Sequence, residues 1–380
     1  MGNECRCNKV MILHLLFDDK FGEYALRQFS APGMFSEFVV VTHSAAPDCS
    51  QKYEGVKVVF EDQESFLHLL LRLGEYKTIV LHGLFYPWQE RVLREVPKDV
   101  KVAWVFWGGD IYGRKDIADN FLSLSSKRLR FKQNLKRYIK CRKAFDRYEL
   151  PFELLKRIDF CLTDIPEDFA FVKQYLKTDI KELWYNYYSV EETIGDLMNS
   201  RCGGNNVLLG NSSSLECNYI DGLRALKRLN LTSSVKVFAP LSYGDSWIRN
   251  EISRRGKRML GDRFHPLIEF LPRDEYNRII VSCSTVVMPH YRPQAFGNIL
   301  TALWLGARVF LSEKNVLLTY FKRIGTVIFS IEHDLKESNP YVLSPLSENE
   351  VFQNRKAINA FYSRDVMHYK SIELVNALNQ

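Results

Sequence analysis

The sequence predicts an α/β protein of two parallel-sheet domains followed by a helical tail. Three observations carry that reading. Short β-branched and apolar runs alternate with segments of helical apolar spacing along the chain, the pattern of strands covered by crossover helices. The alternation is interrupted by a small, polar stretch at 199–206 and then restarts. Finally, a length of 380 residues exceeds the roughly 250–300 that one hydrophobic core usually organises.

In the first half, residues 10–17, 38–43, 56–60, 78–81 and 100–107 read as strands, separated by helical patterns at 24–29, 63–73 and 89–96. A strand at 160–163, a helix opened by Pro166 and a strand at 183–185 follow. After the polar stretch, strands are expected at 206–209, 235–239, 267–270, 285–288, 308–311 and 326–329. Helices are expected between them at 216–229, 246–259, 273–281, 296–305 and 316–321. The expected domains are 1–200 and 206–345, with a helical tail at 346–380.

Hydrophobic residues make up 46% and charged residues 26% of the chain, which excludes a disordered, collagen-like or disulfide-scaffold protein. No apolar run approaches the ~18 residues needed to span a bilayer, and residues 1–9 lack the apolar core of a secretory signal. The eight cysteines have no CxxC or zinc-ligand spacing, so reduced thiols in a cytoplasmic protein are expected.

The net charge is +7, yet residues 127–147 alone hold ten basic residues and one acidic, leaving −2 for everything else. The chain therefore carries one basic element. In it Phe131, Leu135, Tyr138 and Phe145 recur near a helical repeat among Lys127, Arg128, Lys132, Lys136, Arg137, Lys140 and Lys143. Such a helix, assigned to the first domain, suits an anionic membrane surface, with Lys132, Lys136 and Lys140 as lipid contacts. The competing reading is a core-packed helix with a solvated basic face.

Open parallel sheets bind ligands beyond the carboxyl ends of their strands, so the loops there are the candidate sites. In the second domain, Gly210-Asn211-Ser212-Ser213-Ser214 links a strand to a helix, and Tyr243-Gly244 follows the next strand. Glycine and small hydroxyl residues let the backbone approach a phosphate at a helix N-terminus; a serine-rich helix cap is the plain alternative. The segment Met288 to Asn298 adds Arg292, a fixed charge suited to a diphosphate, Gln294 for sugar hydroxyls, and Gly297 and Asn298 at a helix start.

In the first domain, His82-Gly83 and Trp107-Gly108-Gly109-Asp110 end strands. A carboxylate after two glycines and among aromatics is placed to act as a general base. Asp110 is the first candidate, with His82 and Asp19 as alternatives, and turn or cap chemistry is the plain reading of each. No His, Cys and carboxylate cluster has metal spacing and no DxD tripeptide occurs. Neither a metal nor a cofactor is therefore expected.

These loops together resemble a known family. His82-Gly83-x-Phe85-x-Pro87, Trp107-Gly108-x-Asp110-Ile111-Tyr112, Gly210-Asn211-Ser212, Tyr243-Gly244 and Arg292-x-Gln294-x-x-Gly297 occur in one order. The set is similar to the TDP-N-acetylfucosamine:lipid II N-acetylfucosaminyltransferases (4-acetamido-4,6-dideoxygalactosyltransferases), glycosyltransferase family 56. Ala295 stands where the family pattern leads to a glycine.

The resemblance implies a GT-B fold of two Rossmann-like domains facing a cleft, the first holding the acceptor and the second the nucleotide-sugar. It further implies metal-independent transfer of a hexose from a donor such as a dTDP-sugar to an undecaprenyl-diphosphate-linked oligosaccharide. The setting would be the inner face of the bacterial cytoplasmic membrane. The alternatives are a GT-B-type nucleotide-sugar epimerase and a non-enzymatic basic scaffold or nucleic-acid-binding module. The last rests on 127–147 alone, and the negative remainder of the chain, without any nucleic-acid motif, opposes it.

Overall fold

A computed structural model describes residues 11–17, 22–29, 35–44, 56–139 and 148–379. Seven strands form the first sheet: β1 (Met11–Leu16), β2 (Phe35–Thr42), β3 (Val56–Phe60), β4 (Thr78–His82), β5 (Lys101–Val105), β6 (Phe160–Thr163) and β7 (Lys181–Trp184). Their order is β3-β2-β1-β4-β5-β6-β7. Six form the second: β8 (Asn206–Leu209), β9 (Val237–Pro240), β10 (Phe264–Leu267), β11 (Cys283–Met288), β12 (Arg308–Leu311) and β13 (Phe329–Ser330). These run β10-β9-β8-β11-β12-β13. The pairings of both sheets are parallel.

Central strands such as Thr-Ile-Val-Leu-His in β4 and Cys-Ser-Thr-Val-Val-Met in β11 are buried at every position, as a sheet covered on both faces requires. Strand order reverses between β1 and β4 in one sheet and between β8 and β11 in the other. Those reversals are the switch points at which open α/β sheets bind ligands.

The chain divides into two compact units. The first comprises Met1–Ile111, Asp146–Tyr188 and Asp365–Gln380; the second comprises Tyr112–Phe145 and Ser189–Arg364. This partition departs from the sequence-based boundaries in three places, each with a local cause.

First, the basic helix, observed as Leu124–Ile139, packs on the second unit. Its Leu129 joins Ile220 and Leu223 in that unit's core. Second, the polar stretch at 199–206 is anchored within the second unit by Cys202 N–H to Leu305 O (2.8 Å) and Gly203 N–H to Val281 O (3.1 Å). The change of unit falls earlier, at Ser189, whose capping box with Glu192 starts the helix Val190–Ile194. Third, the tail is two helices, Glu348–Tyr362 and Arg364–Leu378. Leu374, Val375 and Leu378 of the latter lie in the first unit's core with Ile12 and Val80.

Two element ends differ from those expected. The helix expected over 216–229 is a short turn, Leu215–Cys217, and then the helix Tyr219–Lys227, broken by Asn218 in the left-handed region (φ 47°). β10 begins at Phe264, which is fully buried, while Ile268 and Phe270 of the expected strand are exposed. Its Pro266 is tolerated because β10 is an edge strand.

Candidate functional site

The second unit brings its predicted loops together. β9, β8 and β11 are neighbours, so the segments after them lie side by side. Gly210 follows β8 with φ +68°, and a Cβ there would meet the Tyr219 ring at 2.6 Å; only glycine allows this approach. The next residues are tied to the β9 loop: Ser213 N–H donates to Tyr243 O (2.9 Å) and Asp245 N–H to Ser213 O (3.0 Å). Gly244, at φ +107°, would place a Cβ 2.8 Å from Ser213 O. Asn211 Nδ2 donates to the Tyr243 hydroxyl at 3.2 Å, while the Tyr243 ring is exposed. Ser212 is buried, its hydroxyl 3.5 Å from Cys217 Sγ.

The β11 loop completes this edge. Gln294 Nε2 donates to Cys217 Sγ (3.5 Å), and Cys217 Sγ donates to Asn211 Oδ1 (3.2 Å). Half-buried Arg292 donates to Pro293 O at 3.1 Å and forms no ion pair among the described residues. The helix Phe296–Leu305 follows, its N-cap Ala295 at φ 58° offering no side-chain acceptor. The first-turn N–H groups, those of Gly297 and Asn298 included, therefore lack a side-chain cap. An unneutralised guanidinium beside an uncapped helix N-terminus makes a positive locus suited to an anion.

Sequence reasoning did not single out three residues at this edge. His290 is fully buried, and burial, then Arg292, pushes its pKa down to about 3, so it is neutral. Buried Asn218 donates to Pro289 O at 3.2 Å and accepts from Ser123 N–H at 2.9 Å. Asn315 holds Arg292 O at 3.1 Å. The signal was present only as buried polar residues in loops, and burial has no sequence signature there.

In the first unit the β4 and β5 ends also converge, with a different character. His82 is buried, and both ring nitrogens are engaged: Nε2 with His14 Nδ1 at 3.1 Å and Nδ1 with the Tyr187 hydroxyl at 2.7 Å. Burial pushes its pKa down to about 3. This alternative candidate base is thus a neutral imidazole inside a hydrogen-bond chain, which Trp107 Nε1 extends by donating to Tyr187 at 2.9 Å. His14, stacked on Phe38 at 4.5 Å, was not anticipated, because a lone histidine in an apolar strand reads as core.

Asp110 does not stand free either. Its Oδ2 accepts from Trp104 Nε1 (2.8 Å) and from the Trp107 backbone N–H (3.3 Å), and the residue is 8% exposed. The carboxylate closes the turn through Gly108, whose φ is +72°, and ties the Trp104 ring to the Trp107 backbone. Asp19 and Lys140 lie outside the described residues, while Lys132 and Lys136 are exposed on the basic helix.

Two further residues shape this edge. Gln89, fully buried, accepts from the Phe85 and Tyr86 N–H groups (2.6 and 2.9 Å) and donates to Gly83 O (2.6 Å), clamping the turn after β4. Half-buried Asp164 follows β6, and burial pushes its carboxyl up to about 6. Around the β1–β4 switch point the Phe17 ring lies 5.3 Å from Phe85, 5.1 Å from Tyr86 and 4.9 Å from Trp107. The result is an aromatic surface at the strand ends.

No group of three or more His, Cys, Asp or Glu among the described residues is placed to hold a metal ion. No described helix is long and apolar enough to cross a membrane.

No protein-family model matches the sequence, and a search of curated proteins finds no significant match. Solved structures do match. The N-terminal domain of trehalose-6-phosphate phosphatase from Candida albicans superposes with a TM-score of 0.62 at 10% identity, covering 100% of this chain and 98% of that one. HepE from Anabaena, in complex with UDP and glucose, gives 0.60 at 12% identity over 97% and 100% of the two chains. Sucrose-phosphate synthase from Thermosynechococcus elongatus gives 0.61 at 12% identity over 97% and 99%. At these identities the likeness establishes the fold, which is of the GT-B type with two parallel α/β units, as the loop motifs led us to expect.

Proposed function

We propose that the chain is a glycosyltransferase that takes a sugar from a nucleoside diphosphate and transfers it to a lipid-linked oligosaccharide. The observation that carries the proposal is the meeting, at the β8–β11 switch point, of unneutralised Arg292, an uncapped helix N-terminus and the glycine-backed loops after β8 and β9. Arg292 and the N–H groups of Gly297 and Asn298 would receive the diphosphate and stabilise it as it leaves. Gln294, Asn211, Ser212 and Tyr243 supply donors and acceptors for hydroxyl groups, and Gly210 and Gly244 keep the backbone close. A shared fold with a protein crystallised with UDP and glucose supports this reading.

The first unit is assigned the acceptor. Aromatic faces at Phe17, Phe85, Tyr86 and Trp107 suit the apolar faces of sugar rings. In the transfer, the acceptor oxygen bonds to the anomeric carbon, the bond to the diphosphate breaks, and the acceptor proton passes to a carboxylate. Asp110 is proposed to orient the acceptor through the Trp107 turn, with Asp164 as the proton acceptor, its raised pKa suiting that task near neutral pH. His82 holds Tyr187 in place.

The resemblance to family 56 makes a dTDP-linked 4-acetamido-4,6-dideoxyhexose the preferred donor and undecaprenyl diphosphate the acceptor's anchor, at the inner face of the cytoplasmic membrane. Thermal-shift measurement with dTDP-, UDP- and GDP-sugars tests the proposal, since a bound donor raises the midpoint by mass action. A rise with one nucleotide class is the expected result; no rise with any of them would overturn it.

A further inference from the structure

The helix Leu124–Ile139 has its polarity reversed relative to an ordinary packed helix. Its inward face is mostly polar. Ser125, Ser126 and Gln133 are buried beside Leu129. Ser125 Oγ donates to Asp221 Oδ1 (3.2 Å) and accepts from Arg224 Nη1 (2.6 Å), and Gln133 Nε2 donates to Asp245 Oδ2 (2.8 Å). Arg130 and Arg137 pair with Asp119 and Asp245.

The apolar side chains point the other way. Leu124, Phe131, Leu135, Tyr138 and Ile139 are 74, 69, 48, 83 and 70% exposed. At about 100° per residue they fall within an arc of about 100°, opposite Gln133. Lys127 borders that arc on one side and Lys132 and Lys136 on the other, with Arg128 inside it. The helix contains no acidic residue.

We propose that this outward face docks on an anionic lipid bilayer, the helix lying in the headgroup plane. An apolar stripe with basic margins matches hydrocarbon beneath negative headgroups. A second copy of the chain is a poorer occupant, because apposed helices would bring their basic margins together without an acidic residue on either. A nucleic acid would meet the lysines and leave the stripe in water. The inference stands on the helix geometry, and it gives the lipid-acceptor reading a physical surface: on the second unit, not the first.

The experiment is co-sedimentation of the full chain with phosphatidylcholine vesicles with and without phosphatidylglycerol. Two variants accompany it: Phe131→Ser with Leu135→Ser and Tyr138→Ser, and Arg128→Glu with Lys132→Glu. Binding is expected only with phosphatidylglycerol, and each variant should bind at least about tenfold more weakly. The melting curves should be unchanged, since all five positions are exposed. Absence of wild-type binding overturns the proposal, as does wild-type binding by the serine variant, which would leave only a diffuse charge effect. An oligomer that the serine variant breaks without altering vesicle binding overturns it too, in favour of a contact between copies. Transfer to long-chain and short-chain acceptors separates the two readings. Vesicle binding with no preference for the long chain retains the surface and removes the lipid-linked substrate.

Discussion

Gln133 donates its carboxamide N–H to the Asp245 carboxylate at 2.8 Å, joining the basic helix to the loop that carries Tyr243 and Gly244. Asp245 has more than this one task. Its Oδ1 caps Ile248 N–H at 2.9 Å, and its Oδ2 also accepts from Arg137 at 3.1 Å. Asp245→Ala should therefore destabilise the second unit by about 2–3 kcal/mol, a lost cap plus lost charged hydrogen bonds. Asp245→Asn, which keeps the cap, should cost about half as much. Urea unfolding followed by circular dichroism measures both.

Arg292→Ala should weaken nucleoside-diphosphate binding by about 1.5–3 kcal/mol, the range for a hydrogen bond to a charged group. Arg292→Lys should recover only part of it, because an ammonium cannot reproduce the planar fork. Calorimetry with UDP and dTDP reads the difference directly; unchanged affinity would put the diphosphate elsewhere.

Ala295 sits at φ 58° without being a glycine. The left-handed region costs an L-residue about 1–2 kcal/mol, partly offset by glycine's larger chain entropy when unfolded. Ala295→Gly is thus expected to stabilise the chain by about 0.5–1 kcal/mol. A lower thermal midpoint would mean that the alanine methyl makes packing contacts worth more than the strain.

Burial raises the Asp164 carboxyl to about 6, whereas an unfolded aspartate titrates near 4. Between those values the folded chain keeps a proton that the unfolded chain has lost, so stability falls as pH rises from about 4 to about 6 and is level above. Asp164→Asn should abolish that slope and leave the protein more stable at neutral pH, by up to about 3 kcal/mol. Denaturation midpoints measured across that pH range test the sign as well as the size.

Turnover distinguishes the two carboxylates. Asp164→Asn should lower kcat about 10²-fold or more if it takes the acceptor proton, and the wild-type rate should rise through pH 6 as the group ionises. Asp110→Asn should also lower kcat, with donor affinity nearly intact, because it disturbs the Trp107 turn and not the diphosphate. Wild-type turnover in the Asp110 variant would reduce that residue to a purely structural tie.

Much of the architecture was legible in the residues. Short apolar runs followed by glycine, such as 79–81 ahead of Gly83 and 207–209 ahead of Gly210, marked buried parallel strands, and their loops marked the ligand edge. What stayed hidden depended on contacts far along the chain. Ser125 and Gln133 look like surface residues of an amphipathic helix until Asp221, Arg224 and Asp245 are beside them. His82 looked like an available base because His14 and Tyr187, 68 positions before it and 105 after it, were not visibly its partners. Asp110 likewise seemed free, although Trp104, only six residues away, holds it.

The return of Arg364–Leu378 to the first unit has a consequence for how the chain is made. Thr78 Oγ1 donates to Leu378 O at 2.7 Å, and Leu374, Val375 and Leu378 cover Ile12 and Val80. During synthesis the first unit's sheet lacks that cover until the helix Arg364–Leu378 has left the ribosome, whereas the second unit has by then received its segments up to Arg364. The order of completion is thus the reverse of the order of translation, and the early-emerging strands must wait with an apolar face unsealed. A released chain truncated after residue 363 should show a protease-resistant second unit beside a digestible first sheet.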